Sequence, residues 1–282
     1  MLKPVNTFLL GAMKAGTTTL ADLLAQHPDI CLSSPKEPHF FTEKEGLDLD
    51  WYHARFAQPE RRIRIDASTS YTIAPVEVGI PFKRVCEKYR GIPEKIHRYN
   101  PEAKFIYVLR EPVSRTYSHY NHNARDGWEK RPFMQAIHED AQYLSASHYL
   151  QQLEAYWAFF PKEAFLLLPF EEIMKSPADA ARRCCDFLGL PPPPVMEETR
   201  AKNVGFVYNP IGQKLHKLGL MELASRLLPD AVKQWLAPLV SRGIPPMSPQ
   251  DRQELARHFQ PHNQRLQEST GFDTSGWTRN TQ

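Results

Sequence analysis

Short apolar runs alternate with longer segments of mixed polarity along the first two thirds of the chain. The longer segments place apolar residues three and four positions apart, as Leu20, Leu23 and Leu24 do, which is typical of helices with one buried face. The apolar runs have the length of buried strands, and they are TFLL from Thr7, DICL from Asp29, RIRID from Arg62, KFIYVL from Lys104 and AFLLL from Ala164. This alternation predicts a three-layer α/β fold in which helices flank a central, mostly parallel sheet.

The same pattern predicts a single domain over residues 1–282. Residues 1–190 carry the alternation of strands and helices. The consecutive prolines at 191–194 are typical of a stiff connector, which leads to a C-terminal closing segment with helices over residues 191–282. A chain of 282 residues with 41% hydrophobic content can bury a large core without dividing into two domains.

Charge and hydropathy exclude several classes of protein. The net charge is +3, from 35 basic and 32 acidic residues, so we expect no nucleic-acid partner. No apolar stretch approaches the ~20 residues of a membrane span, and the N-terminus lacks the pattern of a signal peptide. We therefore expect no transmembrane segment, and a chain that is either cytoplasmic or an excised soluble domain. Its oligomeric state is not predicted.

Cysteines and histidines give no sign of a metal site in the sequence. Cys31, Cys86, Cys184 and Cys185 lack C-x-x-C spacing, and no histidine cluster of zinc-binding spacing accompanies them. We expect buried thiols and no metal.

The first predicted strand leads into residues 11–18, which read G-x-x-K-x-G-T-T. Gly11 and Gly16 let the backbone approach an anion, and the start of the next helix offers unpaired N–H groups and the positive end of its dipole. A Walker A loop carries its lysine directly after the second glycine, whereas here Lys14 lies in mid-loop and Thr17 takes that position. The pattern predicts a P-loop-like phosphate cradle; a tight turn without a ligand is the alternative.

A second candidate anion site follows the strand KFIYVL. The segment from Arg110 reads R-x-P-x-x-R-x-x-S-x-Y and includes Ser118 about two helical turns later. A guanidinium at a strand end can hold phosphate in a fork, and a serine beside it can donate one more hydrogen bond. The alternative is that Arg110 pairs with Glu111 while Ser118 faces solvent.

Together these two motifs resemble those of sulfotransferases that use 3'-phosphoadenosine 5'-phosphosulfate (PAPS), nearest to the heparan sulfate sulfotransferase-like and bacterial members. The resemblance implies transfer of the sulfuryl group of PAPS to a hydroxyl or amine, without a metal, leaving adenosine 3',5'-bisphosphate. It implies that Arg110 and Ser118 bind the 3'-phosphate, with Arg115 as a further candidate. The residues that it implies for the 5'-phosphosulfate are Lys14, Ala15, Gly16, Thr17, Thr18 and Thr19.

The segment after the second strand, K-E-P-H-F-F from Lys36, is similar to the K-E-x-H-F-F segment of heparan sulfate sulfotransferases. The match implies that Glu37 is the general base, with Lys14 and Lys36 stabilising the developing charge. Burial beside the aromatic residues would raise the pKa of Glu37 and the lysines would lower it, so its pH window stays open. His39 is the competing base, or else a core histidine, and an exposed Lys-Glu pair is the alternative for the charged residues.

Weaker matches extend the resemblance. Ala67 stands where many carbohydrate-acting members carry lysine, which puts one cationic contact in doubt. Tyr149 matches a tyrosine that lines the cofactor site, although a helix-packing role is equally open. Lys202 lies in a segment similar to one that closes over the nucleotide, and residues 242–246 match a second closing loop. The C-terminal helix and its tryptophan are expected to pack on the body.

The acceptor is predicted only as a class: a small molecule, a lipid, a sugar or a carrier-bound chain. Residues 51–53 and 119–131 are aromatic, basic and loop-like, which suits the wall of an acceptor cleft beside Glu37; exposed surface is an equal alternative. The candidate acceptor contacts are Lys36, His39, Phe40, Trp51, Tyr52, His119 and His122. Two other functions remain open: a P-loop kinase or NTPase that needs Mg²⁺ and ATP, and a noncatalytic nucleotide-binding protein.

Overall fold

A computed structural model describes residues 3–44, 46–82, 87–192 and 206–278. Five strands form one sheet in the order β2-β3-β1-β4-β5, and every neighbouring pair is parallel. They are β1 (Thr7–Gly11), β2 (Ile30–Leu32), β3 (Ile63–Asp66), β4 (Lys104–Leu109) and β5 (Phe165–Pro169). All five strands predicted from the apolar runs are confirmed, and so is the α/β fold class. A separate antiparallel pair, β6 (Phe206–Tyr208) and β7 (Ser241–Gly243), was not predicted.

Helices cover both faces and the C-terminal region. They are α1 (Thr17–Leu24), α2 (Leu49–His53), α3 (Ile92–Tyr99), α4 (Pro112–Arg125), α5 (Phe133–Glu139), α6 (Gln142–Ser145), α7 (Tyr149–Trp157), α8 (Phe170–Lys175), α9 (Pro177–Leu188), α10 (Pro210–Lys217), α11 (Leu220–Leu227), α12 (Asp230–Val240), α13 (Pro249–Thr270) and α14 (Ser275–Thr278). Short 3₁₀ helices span Thr69–Thr72, Glu87–Tyr89 and Lys162–Ala164. Among the residues described, none of these helices has both the length and the apolar content that crossing a bilayer requires.

The centre of the sheet explains why its strands read as unbroken apolar runs. Both faces of β1 and β4 are covered, so every residue of β1 is buried, as are all but the first of β4. Phe8 of β1 stacks on Phe105 of β4 with ring centroids 5.7 Å apart, and Phe105 stacks in turn on Phe165 of β5 at 4.6 Å. Each fully buried side chain of this size contributes about 1.5–3 kcal/mol.

The strand order creates a crevice between β1 and β4. The chain leaves β1 toward β2 on one side and leaves β4 toward β5 on the other, while Gly11 at the end of β1 pairs in register with Val108. Such a switch point is where open α/β sheets bind ligands. Gly11 must lack a side chain here, because a Cβ would lie 1.9 Å from the Thr17 methyl group.

The C-terminal helix α13 packs on the body, as predicted. Leu255 and Phe259 join a second apolar cluster with Val113 of α4 and Ile137 of α5. Beyond α13, the ring of Trp277 lies 5.9 Å from that of Tyr149. The C-terminal region therefore contacts the same elements that carry the second anion motif.

Several sequence predictions need correction or lie outside the described residues. Residues 51–53 form helix α2 and residues 119–125 belong to α4, so the prediction that they are loop-like was wrong. Residues 241–243 form β7, so the predicted closing loop at 242–246 begins as a strand. Lys202 and Cys86 lie outside the described residues. Cys31, Cys184 and Cys185 are buried free thiols, as predicted.

Candidate active site

The loop after β1 leaves the start of α1 open to a ligand. Lys14 has a φ of 75° and Gly16 a φ of 79°, so both lie in the left-handed region, and Gly16 is the N-cap residue of α1. No side chain caps this helix. A Cβ on Gly16 would lie 2.9 Å from the Phe170 ring, so the loop also needs glycine for space. The first N–H groups of α1 are therefore available to an anion.

Helix α4 is different, because its own sequence satisfies its N-terminus. The Glu111 carboxylate accepts hydrogen bonds from Val113 N at 2.9 Å and Ser114 N at 2.7 Å. Glu111 is thus a helix cap rather than a partner of Arg110. The Arg110 guanidinium instead donates to the Lys14 carbonyl oxygen at 2.8 Å and stacks over the Phe170 ring at 4.6 Å. Arg110 therefore joins the ends of β4 and β1.

One cavity of about 900 Å³ lies over these strand ends. It brings together most of the residues that the sequence singled out: Lys14, Gly16, Thr17, Thr18, Thr19, Glu37, His39, Arg110, Ser118, His119 and His122. Ser118, on the side of α4, faces the same cavity as Arg110, so the alternative that it faces only solvent is not supported. Both candidate anion sites therefore open into the same space as the candidate base.

Positive charge accumulates at one end of this cavity. Burial lowers the pKa of Lys14, and the nearby cations Arg125 and Arg110 lower it further. Burial also lowers the pKa of Arg110. Cations that are desolvated and repel one another are stabilised by an anion between them. The site is thus built for a ligand with negative charge.

Glu37 and Lys36 form a bridge from the cavity wall to the start of α1. The Lys36 ammonium lies 2.9 Å from Glu37 Oε1 and 3.4 Å from the hydroxyl oxygens of both Thr17 and Thr18. Thr69 donates to Glu37 Oε2 through its hydroxyl at 2.8 Å and its backbone N–H at 3.3 Å. Burial of the carboxyl raises its pKa, but Lys36 and Thr69 outweigh this, so the pKa of Glu37 lies below its usual 4.5. Glu37 is therefore ionised at neutral pH.

His39 lies beside this carboxylate in a constrained position. Its backbone has a φ of 54°, and its N–H donates to Ser68 Oγ at 2.9 Å. Its ring joins Ser70 Oγ through Nδ1 at 2.8 Å and leaves Nε2 3.8 Å from Glu37 Oε2. The alternative of a core histidine is not supported, because His39 lines the cavity.

A buried carboxylate holds the turn that supports these two residues. Asp66, at the end of β3, accepts hydrogen bonds from the hydroxyls of Tyr52 at 2.7 Å and Tyr71 at 2.8 Å, and from Ser68 N at 2.9 Å. Burial raises the pKa of Asp66, and these hydrogen bonds oppose that rise. The 3₁₀ turn with Thr69 is thereby fixed beneath the cavity.

Three predicted acceptor contacts pack in or against the core instead: Phe40 and Tyr52 are buried, and Trp51 is partly buried against them. Phe40 stacks on Tyr52 with ring centroids 4.3 Å apart, and the Trp51 ring is nearly parallel to that of Phe40 at 6.4 Å. None of the three lines the cavity, and Tyr52 is fully buried. Aromatic residues that looked like a cleft wall are packing residues. Lys36 was also predicted as an acceptor contact, but its ammonium group contacts the hydroxyls of Thr17 and Thr18 at the start of α1.

Three further residues lie behind the cavity rather than in it. The Tyr149 hydroxyl donates to the Arg110 carbonyl oxygen at 2.7 Å, so this tyrosine supports Arg110 and does not line the cavity. Arg115 is fully buried, donates to Ser147 Oγ and to the Tyr143 carbonyl oxygen, and has a pKa lowered by burial to about 10. Ala15 is also buried, in the loop after β1.

The sequence missed several cavity residues. Thr69, Ser70 and Phe170 follow β3 and β5, so the rule that ligands bind at strand ends could have found them. Arg252 lies on α13, no local motif marks it, and its place comes from tertiary packing. Arg125, at the end of α4, falls within residues 119–131, which the sequence indicates as a candidate cleft wall.

Comparisons with known proteins fit this arrangement. A profile of the sulfotransferase family matches residues 6–194. The chain is 29% identical over 195 residues to heparan sulfate glucosamine 3-O-sulfotransferase 6 of Homo sapiens, covering 66% of this chain and 52% of that protein. It is 28% identical over 199 residues to heparan sulfate glucosamine 3-O-sulfotransferase 3A1 of Mus musculus, covering 66% and 46%. The chain thus spans about half the length of the curated relatives it matches.

A solved structure is similar over the whole chain. The crystal structure of a sulfotransferase from Alicyclobacillus acidocaldarius aligns with a TM-score of 0.69, covering 99% of this chain and 100% of that one at 24% identity. At this identity the similarity establishes the fold. It also extends over the C-terminal region, which the family profile does not cover.

Proposed function

Because the chain belongs to the sulfotransferase family, we propose that it transfers the sulfuryl group of PAPS to a hydroxyl or amine of an acceptor. The observation that carries this proposal is the single cavity that holds Lys14, Arg110 and an ionised Glu37. Bound PAPS supplies an electrophilic sulfuryl group and a leaving group that departs as adenosine 3',5'-bisphosphate. The remaining chemistry belongs to the side chains of this protein.

The residues present fit a ligand with phosphate groups at both ends. The uncapped start of α1, the glycine cradle at Gly16 and the desolvated Lys14 suit the 5' end. Arg110 and Ser118 suit a second phosphate beside α4, since Glu111 already occupies the N-terminus of that helix. A ligand with only one phosphate cluster would leave one of these two sites unused.

Glu37 is the proposed general base. Its Oε atoms lie at the cavity wall, and its lowered pKa keeps it ionised, so it can take the proton of the acceptor hydroxyl or amine as that group attacks. Proton transfer to Glu37 removes the negative charge that balances Lys36. The Lys36 ammonium, 3.4 Å from the Thr17 and Thr18 hydroxyls, then adds its charge to the side where the leaving group becomes negative.

The P-loop kinase alternative is not favoured by the same residues. Thr17 stands where a Walker A loop has lysine. Asp66 ends β3, next to β1, where an aspartate could hold Mg²⁺, but both of its carboxylate oxygens accept hydrogen bonds from buried groups. The charge of the site is thus supplied by lysine and arginine rather than by a metal.

Label transfer tests the proposal. The protein is incubated with PAPS labelled in its sulfuryl group and a panel of oligosaccharide, phenol, lipid-alcohol and hydroxyacyl acceptors, with Mg²⁺ or with EDTA. We expect transfer that is indifferent to EDTA, lost in Lys14→Ala and kept in Lys162→Ala, an exposed lysine before β5 at the opposite end of the sheet. Phosphate transfer from Mg-ATP to any acceptor, with none from PAPS, would overturn it.

A further inference from the structure

Three histidines that are far apart in the sequence meet outside the cavity. His148 precedes α7 as its N-cap residue, while His258 and His262 lie one turn apart on α13. One ring nitrogen from each lies within 4.8 Å of those of the other two, and the Nε2 atoms of His148 and His258 are 3.1 Å apart. We propose that these three histidines bind a divalent transition-metal ion of the Zn²⁺ class, which fastens α13 to the start of α7.

The geometry suits such an ion. Residues four apart on a helix share one face, so His258 and His262 present their rings to His148 together. Tetrahedral zinc with ligand nitrogens at about 2.0–2.1 Å places those nitrogens about 3.3 Å from one another. The His148–His258 pair is already near this spacing, and the third nitrogen, which lies within 4.8 Å of the other two, must approach by up to about 1.5 Å. His258 and His262 are partly exposed, which leaves room for water as a fourth ligand.

The protonation state of the cluster also suits a metal. Imidazole binds metals in its neutral form. Burial lowers the pKa of His148 to about 3, and His262 and His258 lower it further. Burial likewise lowers the pKa of His258 and of His262. Arg115 and Arg265 lie close enough to disfavour an added cation, so the affinity should be lower than at a site with thiolate ligands.

Two buried atoms next to His148 give independent support. His148 Nδ1 and Gln151 Oε1 are both buried and have no partner of full hydrogen-bond geometry among the described residues, but the Gln151 side chain is placed to accept a hydrogen bond from His148 and so raises the pKa of this histidine. A metal on His148 Nε2 requires a hydrogen on Nδ1, and that N–H is a donor for which Gln151 Oε1 is an acceptor. Metal-bound histidines usually make such a bond through their second nitrogen. Metal binding would thus keep a hydrogen on Nδ1 and strengthen the contact between His148 and Gln151.

The expected effect is on stability rather than on chemistry. His148 adjoins Tyr149, whose hydroxyl supports the Arg110 backbone, and α13 packs on α4. A bound ion would hold these elements together without entering the cavity. The sequence predicted no metal, because 110 residues separate His148 from His258 and no local spacing marks the cluster.

The test uses untagged, EDTA-treated protein and Zn²⁺ or Co²⁺ as the probe. We expect about one ion per chain with micromolar or tighter affinity, visible absorption bands of tetrahedral Co²⁺, and no thiolate-to-metal band in the near ultraviolet. Zinc at about 100 times its Kd should raise the Tm by about 5 °C or more. His262→Gln and His258→Gln should each abolish this rise and weaken binding at least tenfold.

The matched control is His138→Gln, which removes an exposed histidine of α5 that pairs with Glu254 of α13 at 2.7 Å. It should leave metal affinity and the zinc-dependent Tm rise unchanged. Three results would overturn the proposal: no stoichiometric binding to the wild-type protein, a thiolate band in its Co²⁺ spectrum, or binding retained at full affinity in both cluster variants. The Co²⁺ spectrum decides on the wild-type protein even if a variant folds poorly.

Discussion

Replacing Glu37 with glutamine changes the proposed base while keeping its shape. The glutamine amide keeps an oxygen that can accept the two Thr69 hydrogen bonds, but it cannot take a proton from the acceptor. It also loses the ion pair with Lys36 at 2.9 Å. The substitution therefore separates proton transfer from the architecture of the cavity wall.

The structure sets the size of each effect. A positioned general base contributes about 10²- to 10⁴-fold to rate, which is about 2.7–5.4 kcal/mol of transition-state stabilisation. The lost ion pair is partly exposed, so it should cost at most about 1 kcal/mol of folding stability. Lys36 keeps its contacts with Thr17 and Thr18, so affinity for the nucleotide should stay within about threefold of wild type.

Single-turnover transfer from labelled PAPS, with nucleotide affinity measured in parallel, tests these values. Glu163→Gln is the control, because Glu163 is exposed before β5 at the far end of the sheet, and it should behave as wild type. The pH profile gives a second reading: the pKa of Glu37 is lowered below 4.5, so the acidic limb of the rate should lie below pH 4.5. An acidic limb nearer neutrality would instead indicate an imidazole base.

Near-wild-type turnover in Glu37→Gln, together with an acidic limb near neutrality, would refute this reasoning. The base would then be His39, whose Nε2 lies 3.8 Å from the Glu37 carboxylate. A large loss of nucleotide affinity in Glu37→Gln would contradict it in another way, since the carboxylate would then be organising the donor site.

Three further predictions concern the loop after β1. Lys14→Ala should slow transfer about 10²- to 10³-fold and weaken nucleotide binding, since a desolvated charge is lost; unchanged kinetics would remove Lys14 from the site. The pKa of Lys14 is lowered from 10.5, so its charge is lost as the pH rises through that lower value, and activity should fall at a pH below 10.5. Arginine keeps its charge to higher pH, so Lys14→Arg should move this alkaline loss of activity to higher pH. Gly16→Ala should weaken nucleotide binding at least tenfold, because the φ of 79° and the Phe170 ring 2.9 Å from the new Cβ both oppose a side chain. Gly276→Ala is the control, because a Cβ there meets open space, and it should leave nucleotide affinity unchanged. Equal losses of affinity in the two variants, measured by calorimetry, would contradict the role of Gly16 in binding the phosphate.

The fold could be predicted from the sequence because its central strands are buried on both faces. Such strands read as continuous apolar runs whatever their neighbours are, so the strand of Phe105 could be located without knowing what packs on it. The β6 and β7 pair is short and polar at Ser241, so it leaves no such run. Helix α4 was placed only at its start, because the aromatic and basic residues after His119 do not reveal which face they bury.

The candidate site was predicted where it depends on loops after strands and missed where it depends on packing. Lys14 and Arg110 lie at strand ends, and strand ends of a parallel sheet must share one edge. Arg252 reaches the cavity from α13, more than 100 residues further along the chain than Arg110, and no local pattern encodes this contact. Tyr52 was misassigned because an aromatic residue with a polar group suits a cleft wall or a core equally well. Only the hydrogen bond from its hydroxyl to the buried Asp66 shows that it belongs to the core.

The central claim is that the cavity binds a nucleotide with phosphates at both its 3' and 5' ends, and calorimetric titration with adenosine 3',5'-bisphosphate tests it without knowledge of the acceptor. AMP and Mg-ATP are titrated alongside, with Arg110→Ala as the site variant and Arg98→Ala, an exposed arginine of α3, as its control. We expect the bisphosphate to bind at least tenfold more tightly than AMP or Mg-ATP, and we expect Arg110→Ala to remove this preference while Arg98→Ala keeps it. Tighter binding of Mg-ATP, or a bisphosphate preference that survives in Arg110→Ala, would contradict it.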